Sequence, residues 1–81
     1  VSALGAARRA LAARLASAGI EDAHSEARVL MEAATGLDAA AQAAAPERIL
    51  SPDEAQRLAG FAQRREAGEP LQHITGRAGF W

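Results

Sequence analysis

The chain has 81 residues, a formal net charge of −1 from nine basic and ten acidic side chains, and no cysteine. A domain this small seldom draws more than ~3–5 kcal/mol from its core, so it cannot house a cofactor-binding sheet and a substrate site together. The charge balance argues against a strongly basic nucleic-acid surface, the missing thiols exclude disulfides and thiolate metal sites, and no run approaches the ~20 apolar residues of a membrane span.

Alanine is the commonest residue and Val, Ile, Tyr and Phe are scarce, which favours helices over strands. The first predicted helix runs from about Ala3 to Ala18, with Ser2 as N-cap. Leu4, Ala7, Leu11, Leu15 and Ala18 share one face by three- and four-residue steps. Gly19 fits the left-handed position after the helix, and Ile20 then folds back on Leu15 in a Schellman ending. The second helix runs from about Ala23 to Thr35 behind Asp22 as N-cap, burying Ala23, Ala27, Leu30, Met31 and Ala34, with Val29 widening the stripe. Gly36 repeats the stop, and Leu37 can reach back to Met31.

Asp38 caps a short alanine-rich helix through about Ala44, which Pro46 ends. It carries no large apolar residue to set its register. The fourth helix has the best start signal: Ser51-Pro52-Asp53-Glu54 supplies a capping box, proline in the first turn and acids at the positive end of the dipole. Leu50 and Ala55 stand at hydrophobic-staple positions, and Leu58, Phe61 and Ala62 form the buried face. Arg57, Gln63 and Arg64 are expected in water, and Gly60 implies close approach of another helix. Arg64 and Arg65 suit the negative helix end, and Gly68 stops it. Pro70 opens a last turn or two, with Leu71 and Ile74 on one side and Gly76 closing it; Gly79-Phe80-Trp81 reads as extended. The expected fold is all-α, a small bundle of four helices plus a short fifth, ending in an extended linker segment.

No catalytic constellation stands out. His24 and His73 lie far apart with no partner at metal-ligand spacing, and each is better read as an ordinary exposed or satisfied histidine. The acidic pairs Glu21-Asp22 and Asp53-Glu54 sit at helix starts, where capping accounts for them. Ser17, Ser25 and Ser51 have no adjacent base. Arg8-Arg9 and Arg64-Arg65 read as solvated helix faces before they read as a basic patch. Phe80 and Trp81 differ: two large aromatics close the chain, and the chain does not open on Met, so the expectation is a piece of a longer protein. Docking on a further domain is the plain reading of that pair, and lining a pocket at the domain boundary is the sharper one.

The run Gly68-Glu69-Pro70-Leu71-Gln72-His73-Ile74-Thr75-Gly76, following an arginine-rich helix end and leading to Phe80-Trp81, resembles the HemK/PrmC family of protein-(glutamine-N5) methyltransferases. Arg65, Gly68, Pro70, Ile74, Gly76 and Phe80 match the family's run where its helical domain passes into the catalytic domain; His73 departs from the usual Tyr. The resemblance implies a helical domain over residues 1–76 that helps to bind a peptide-chain release factor, and the start of a linker over 77–81. It implies a further domain, acting in cis with S-adenosylmethionine, that methylates the glutamine of the release factor's Gly-Gly-Gln tip. This stretch alone would then bind no cofactor or metal and hold no catalytic residue. Phe80, by position, would border the substrate glutamine. The expected setting is cytoplasmic.

Two other readings stay open. A free-standing interaction module could use Arg8, Arg9, Arg14 and Arg28 on nucleic acid, although the charge makes that the lesser reading. A dimer could pair Phe80 and Trp81 from two chains.

Overall fold

The computed structural model describes residues 3–75. Five helices run through them: α1 (Leu4–Ser17), α2 (Ala23–Thr35), α3 (Ala39–Ala44), α4 (Pro52–Glu66) and α5 (Leu71–Thr75). No strand forms among the described residues, and a single antiparallel bridge joins Ala3 to Ile49. The fold is all-α, as composition implied. α1, α2 and α4 pack on one another, α3 touches α1, and α5 rests on α2 and α4.

The core is the apolar stripe of each long helix. Leu4, Leu11 and Leu15 of α1, Ala27, Leu30 and Met31 of α2, and Leu58 and Ala62 of α4 are buried together. The α2 stripe buries Ala23, Ala27, Leu30, Met31 and Ala34 as its spacing predicts, with Val29 half-buried at its edge. The α1 stripe is shifted: Ala12 and Gly5 are inside, while Ala18 is exposed because it lies past the last turn, at the C-cap. Phe61 is half-buried against the cluster.

The helix ends are where local chemistry is most visible. After α1, Gly19 has φ of 90°, its N–H donates to Ala16 at 3.0 Å, and Ile20 donates to Leu15 at 3.1 Å. These are the two bonds of a Schellman motif. The same pair recurs after α4, where Gly68 donates to Arg65 at 3.0 Å and Glu69 to Arg64 at 3.1 Å. α2 ends differently. Gly36 is left-handed and donates to Glu32 at 2.7 Å, but the Leu37 N–H turns to the Thr35 hydroxyl, at 3.2 Å. At the start of α4 the capping box closes both ways, with Ser51 Oγ accepting from the Glu54 N–H and Glu54 Oε1 from the Ser51 N–H. Asp38 Oδ1 likewise accepts from the Ala41 N–H to start α3.

Several expectations are corrected. Ser2 lies outside the described residues, and the N-cap position of α1 falls to Ala3, whose side chain makes no cap bond. Carbonyls from the α3–α4 loop replace it: the Leu4 N–H donates to Arg48 at 2.7 Å and the Gly5 N–H to Pro46 at 2.8 Å. Asp22 stands at the N-cap of α2 but makes no side-chain cap bond. Ala55 is exposed although Leu50 is buried, so the staple is half made. Gly60 has no heavy atom within 4 Å of a Cβ built on it, so no helix approaches there. Arg57 is exposed yet not simply solvated, since its guanidinium donates twice to the Ala34 carbonyl, at 3.0 and 3.2 Å. It meets one of the last α2 carbonyls, which no helical N–H can reach.

α3 does have an orienting residue, and it is polar. Gln42 is fully buried. Its Nε2 donates to the Arg28 carbonyl at 3.1 Å and the Leu37 carbonyl at 2.9 Å, and its Oε1 accepts from Arg8 at 3.3 Å. One amide thus ties α3 to α1, to α2 and to the loop between α2 and α3.

Candidate functional site

Of the residues that carry the family resemblance, Arg65, Gly68, Pro70 and Ile74 lie at the α4–α5 junction. Gly68 has φ of 99°, a conformation other residues rarely adopt, and it turns the chain out of α4. Pro70 then starts α5, its carbonyl accepting from the His73 and Ile74 N–H groups at 3.0 and 3.3 Å. Ile74 is buried in the core and Leu71 is half-buried against it. Gly76 and Phe80 lie outside the described residues, as does the Gly79–Trp81 segment expected to be extended.

Two neighbouring arginines hold this junction. Arg65 reaches back to the first turn of α2, where its Nε is 2.7 Å from Glu26 Oε1 and its Nη2 3.3 Å from Oε2. Its remaining nitrogen, Nη1, donates to the Glu69 carbonyl at 3.4 Å. Arg64 reaches forward: Nε lies 2.9 Å from Glu69 Oε1, and Nη2 bonds Glu69 Oε2 and the His73 carbonyl. Arg64 therefore holds the Glu69 carboxyl below the usual carboxylate range. The Arg65–Glu26 pair is well covered, with side-chain exposures of 22% and 16%. Such planar two-point pairing fixes orientation as well as attraction. Glu69 lies within the motif run without a role assigned to it there, and Glu26 does not stand out in the sequence, although its place in the first turn of α2 is an available signal.

The other arginines are largely engaged too. Arg14 pairs with Glu66 through 2.6 and 2.9 Å bonds that join the C-terminal ends of α1 and α4. Arg48 pairs with Glu54, both bonds at 2.9 Å. Of the four arginines suggested for nucleic acid, Arg14 is neutralised, Arg8 serves Gln42 and Arg28 touches Ser25; Arg9 is exposed.

His24 and His73 are both exposed. Among the described residues no group of three or more His, Asp or Glu is placed to hold a metal ion, and no helix is long and apolar enough to cross a membrane. An open groove of about 240 Å³ lies between α1 and α4, floored by Leu11, Leu50, Leu58 and Ala62. Its one charged lining residue is Arg14, already bound to Glu66. Ligand pockets usually enclose ~300–1,000 Å³ and converge several polar groups; this groove is smaller, and Arg14 is its one polar side chain.

Comparison with known proteins agrees with the junction. Residues 6–76 match the family model described as the PrmC N-terminal domain. The chain is 52% identical over 75 residues to a release factor glutamine methyltransferase of Bradyrhizobium diazoefficiens, covering 93% of this chain and 25% of that protein. It is 41% identical over 68 residues to the protein of the same name from Rhodospirillum rubrum, covering 84% of this chain and 21% of that one. The relative from Caulobacter vibrioides is 38% identical, again over 84% of this chain and 24% of its own length. The chain thus spans about a quarter of the length of these relatives. No solved structure matches it. Motif, fold and matched span together show that this chain belongs to the PrmC N-terminal domain family.

Proposed function

We propose that this chain is the substrate-recruiting helical domain of a peptide-chain release factor glutamine-N5 methyltransferase. The observation that carries the reading is the likeness over nearly the whole chain to proteins named for that activity. In this reading residues 1–76 form the recruiting domain and 77–81 begin the linker to a catalytic domain acting in cis. That domain transfers a methyl group from S-adenosylmethionine to the glutamine of a Gly-Gly-Gln tip, in the cytoplasm, with Phe80 bordering the glutamine.

The physical case is one of division of labour. A side-chain amide is a weak nucleophile and must be held rigidly against the methyl donor. Contacts far from the reacting atoms can supply energy for that orientation. A helical module with paired surface charges suits such docking, because rim charges guide encounter and register. The described residues do not fit the cofactor itself. The α1–α4 groove is lined by alanine and leucine side chains and the paired Arg14, with no side-chain acceptor for ribose hydroxyls and no glycine. S-adenosylmethionine is therefore assigned outside them.

Two measurements test this. Calorimetry of this chain with S-adenosylmethionine is expected to show no binding; tight stoichiometric binding contradicts the assignment. Removal of residues 1–75 from the full-length enzyme is expected to weaken release-factor binding, and unchanged affinity rejects the recruiting role.

A further inference from the structure

α5 has only five residues, too few to hold a helix alone. Its apolar anchors are Ile74, buried, and Leu71, half-buried. Apolar burial is non-directional and leaves such an element free to pivot. Backbone bonds of the Schellman ending hold the turn to the end of α4, and the side-chain bonds that tie this turn to the neighbouring helices come from the arginine pair. Arg64 grips Glu69 and the His73 carbonyl, within the turn and α5. Arg65 grips the Glu69 carbonyl and, through Glu26, the start of α2. Arg64 makes the turn rigid, and Arg65 fastens it to the body of the bundle.

We propose that Arg65, acting through Glu26, is a positioning residue that fixes the direction in which the chain leaves the bundle. It thereby sets how a recruited protein is presented to the catalytic domain. The inference rests on the reading of this chain as a recruiting domain. A pair that served stability alone could sit anywhere on the surface. This one joins α4 to α2 and, through the Glu69 carbonyl, also holds the turn that leads into α5.

The test uses the full-length enzyme with Arg65→Lys, Glu26→Gln and the exchange Arg65→Glu with Glu26→Arg. Arg65→Lys keeps the charge and loses the planar fork, which guards against simple unfolding. Pulsed electron resonance measures the distance between a spin label at exposed Ser17, introduced as Ser17→Cys, and one in the catalytic domain. Each single variant is expected to broaden that distance distribution. It is also expected to lower kcat/KM for the release factor on the order of tenfold, a loss of effective concentration at the reacting centre, with KM for S-adenosylmethionine unchanged. The exchange restores both in part. An unbroadened distribution, or equal losses toward both substrates, overturns the proposal. Deleting residues 1–75 separates the two claims. If release-factor turnover survives deletion, the recruiting role fails, while the distance measurement still decides the role of Arg65.

Discussion

Gly5 sits directly against Pro46. A Cβ built on Gly5 would lie 3.0 Å from Pro46 Cβ and 3.2 Å from the Pro46 carbonyl oxygen, and the Gly5 N–H already donates to that oxygen at 2.8 Å. The first turn of α1 thus takes its capping from a loop some forty residues later, and a Cβ at Gly5 would require that loop to give by a few tenths of an ångström. Gly5→Ala gains up to ~1 kcal/mol of helix propensity but must displace the loop, and overpacking of this kind costs about 1–3 kcal/mol. Net destabilisation is expected, read as a lower urea midpoint, with faster amide exchange at Leu4 and Gly5. A stabilised variant rejects the close contact.

Gly60 gives the opposite expectation. It lies inside α4 with a helical backbone and nothing within 4 Å of a built Cβ. Gly60→Ala is expected to stabilise the chain by about 1 kcal/mol, the propensity difference itself. A Tm that falls on this substitution means the site is crowded after all.

Gln42 is the residue on which α3 depends. Gln42→Leu keeps comparable bulk but strips partners from the Arg28 and Leu37 carbonyls. Only the Leu37 carbonyl is left without a partner, because the Arg28 carbonyl also accepts within α2, so a loss of about 1–3 kcal/mol is expected in chemical denaturation. Gln42→Glu is expected to be worse at neutral pH than in mild acid. Burial and two facing carbonyls favour the protonated acid more than the Arg8 guanidinium, 3.3 Å from the other oxygen, favours the carboxylate, and the raised pKa makes the variant's stability fall as pH rises. A pH-independent penalty contradicts that placement.

Much of this fold could be read from local signals. Gly19-Ile20 and the Ser51/Glu54 box appear as the sequence implies, because the chemistry of each is complete within six residues. The α2 stripe is right for the same reason: one helical period decides it. What escaped the sequence is what depends on distant partners. Ala3 needs no capping side chain because Arg48 and Pro46 supply the carbonyls. Gly60 and Gly5 look alike in sequence, yet only Gly5 meets another segment. Gln42 looked like one polar residue in an alanine run, and its three partners come from three different segments. At the junction, the motif marked Arg65 but not Glu26, thirty-nine positions earlier. Phe80, the one site residue the resemblance assigned, lies outside the described residues.

Glu54 should dominate the acid limb of stability. Two bonds from Arg48 come first and the Ser51 N–H second, and together they lower its pKa from an ordinary 4.5 to about 2. A carboxylate with a depressed folded-state pKa contributes stability that is fully present above its unfolded value and is lost as pH falls through its folded value. The contribution should therefore hold above about pH 4.5 and fade toward pH 2. Glu54→Gln keeps an acceptor for the Ser51 N–H, so the capping box survives while the ion pair is removed. The two proteins should differ in urea midpoint at neutral pH and converge near pH 2. The effect should also travel. Glu54 holds the Arg48 side chain, and the Arg48 carbonyl caps the Leu4 N–H at 2.7 Å. Amide exchange at Leu4 should accordingly quicken in Glu54→Gln at neutral pH, and in the parent chain only as pH drops below about 4.5. Parallel pH profiles for the two proteins, or Leu4 protection indifferent to Glu54, contradict this chain of contacts.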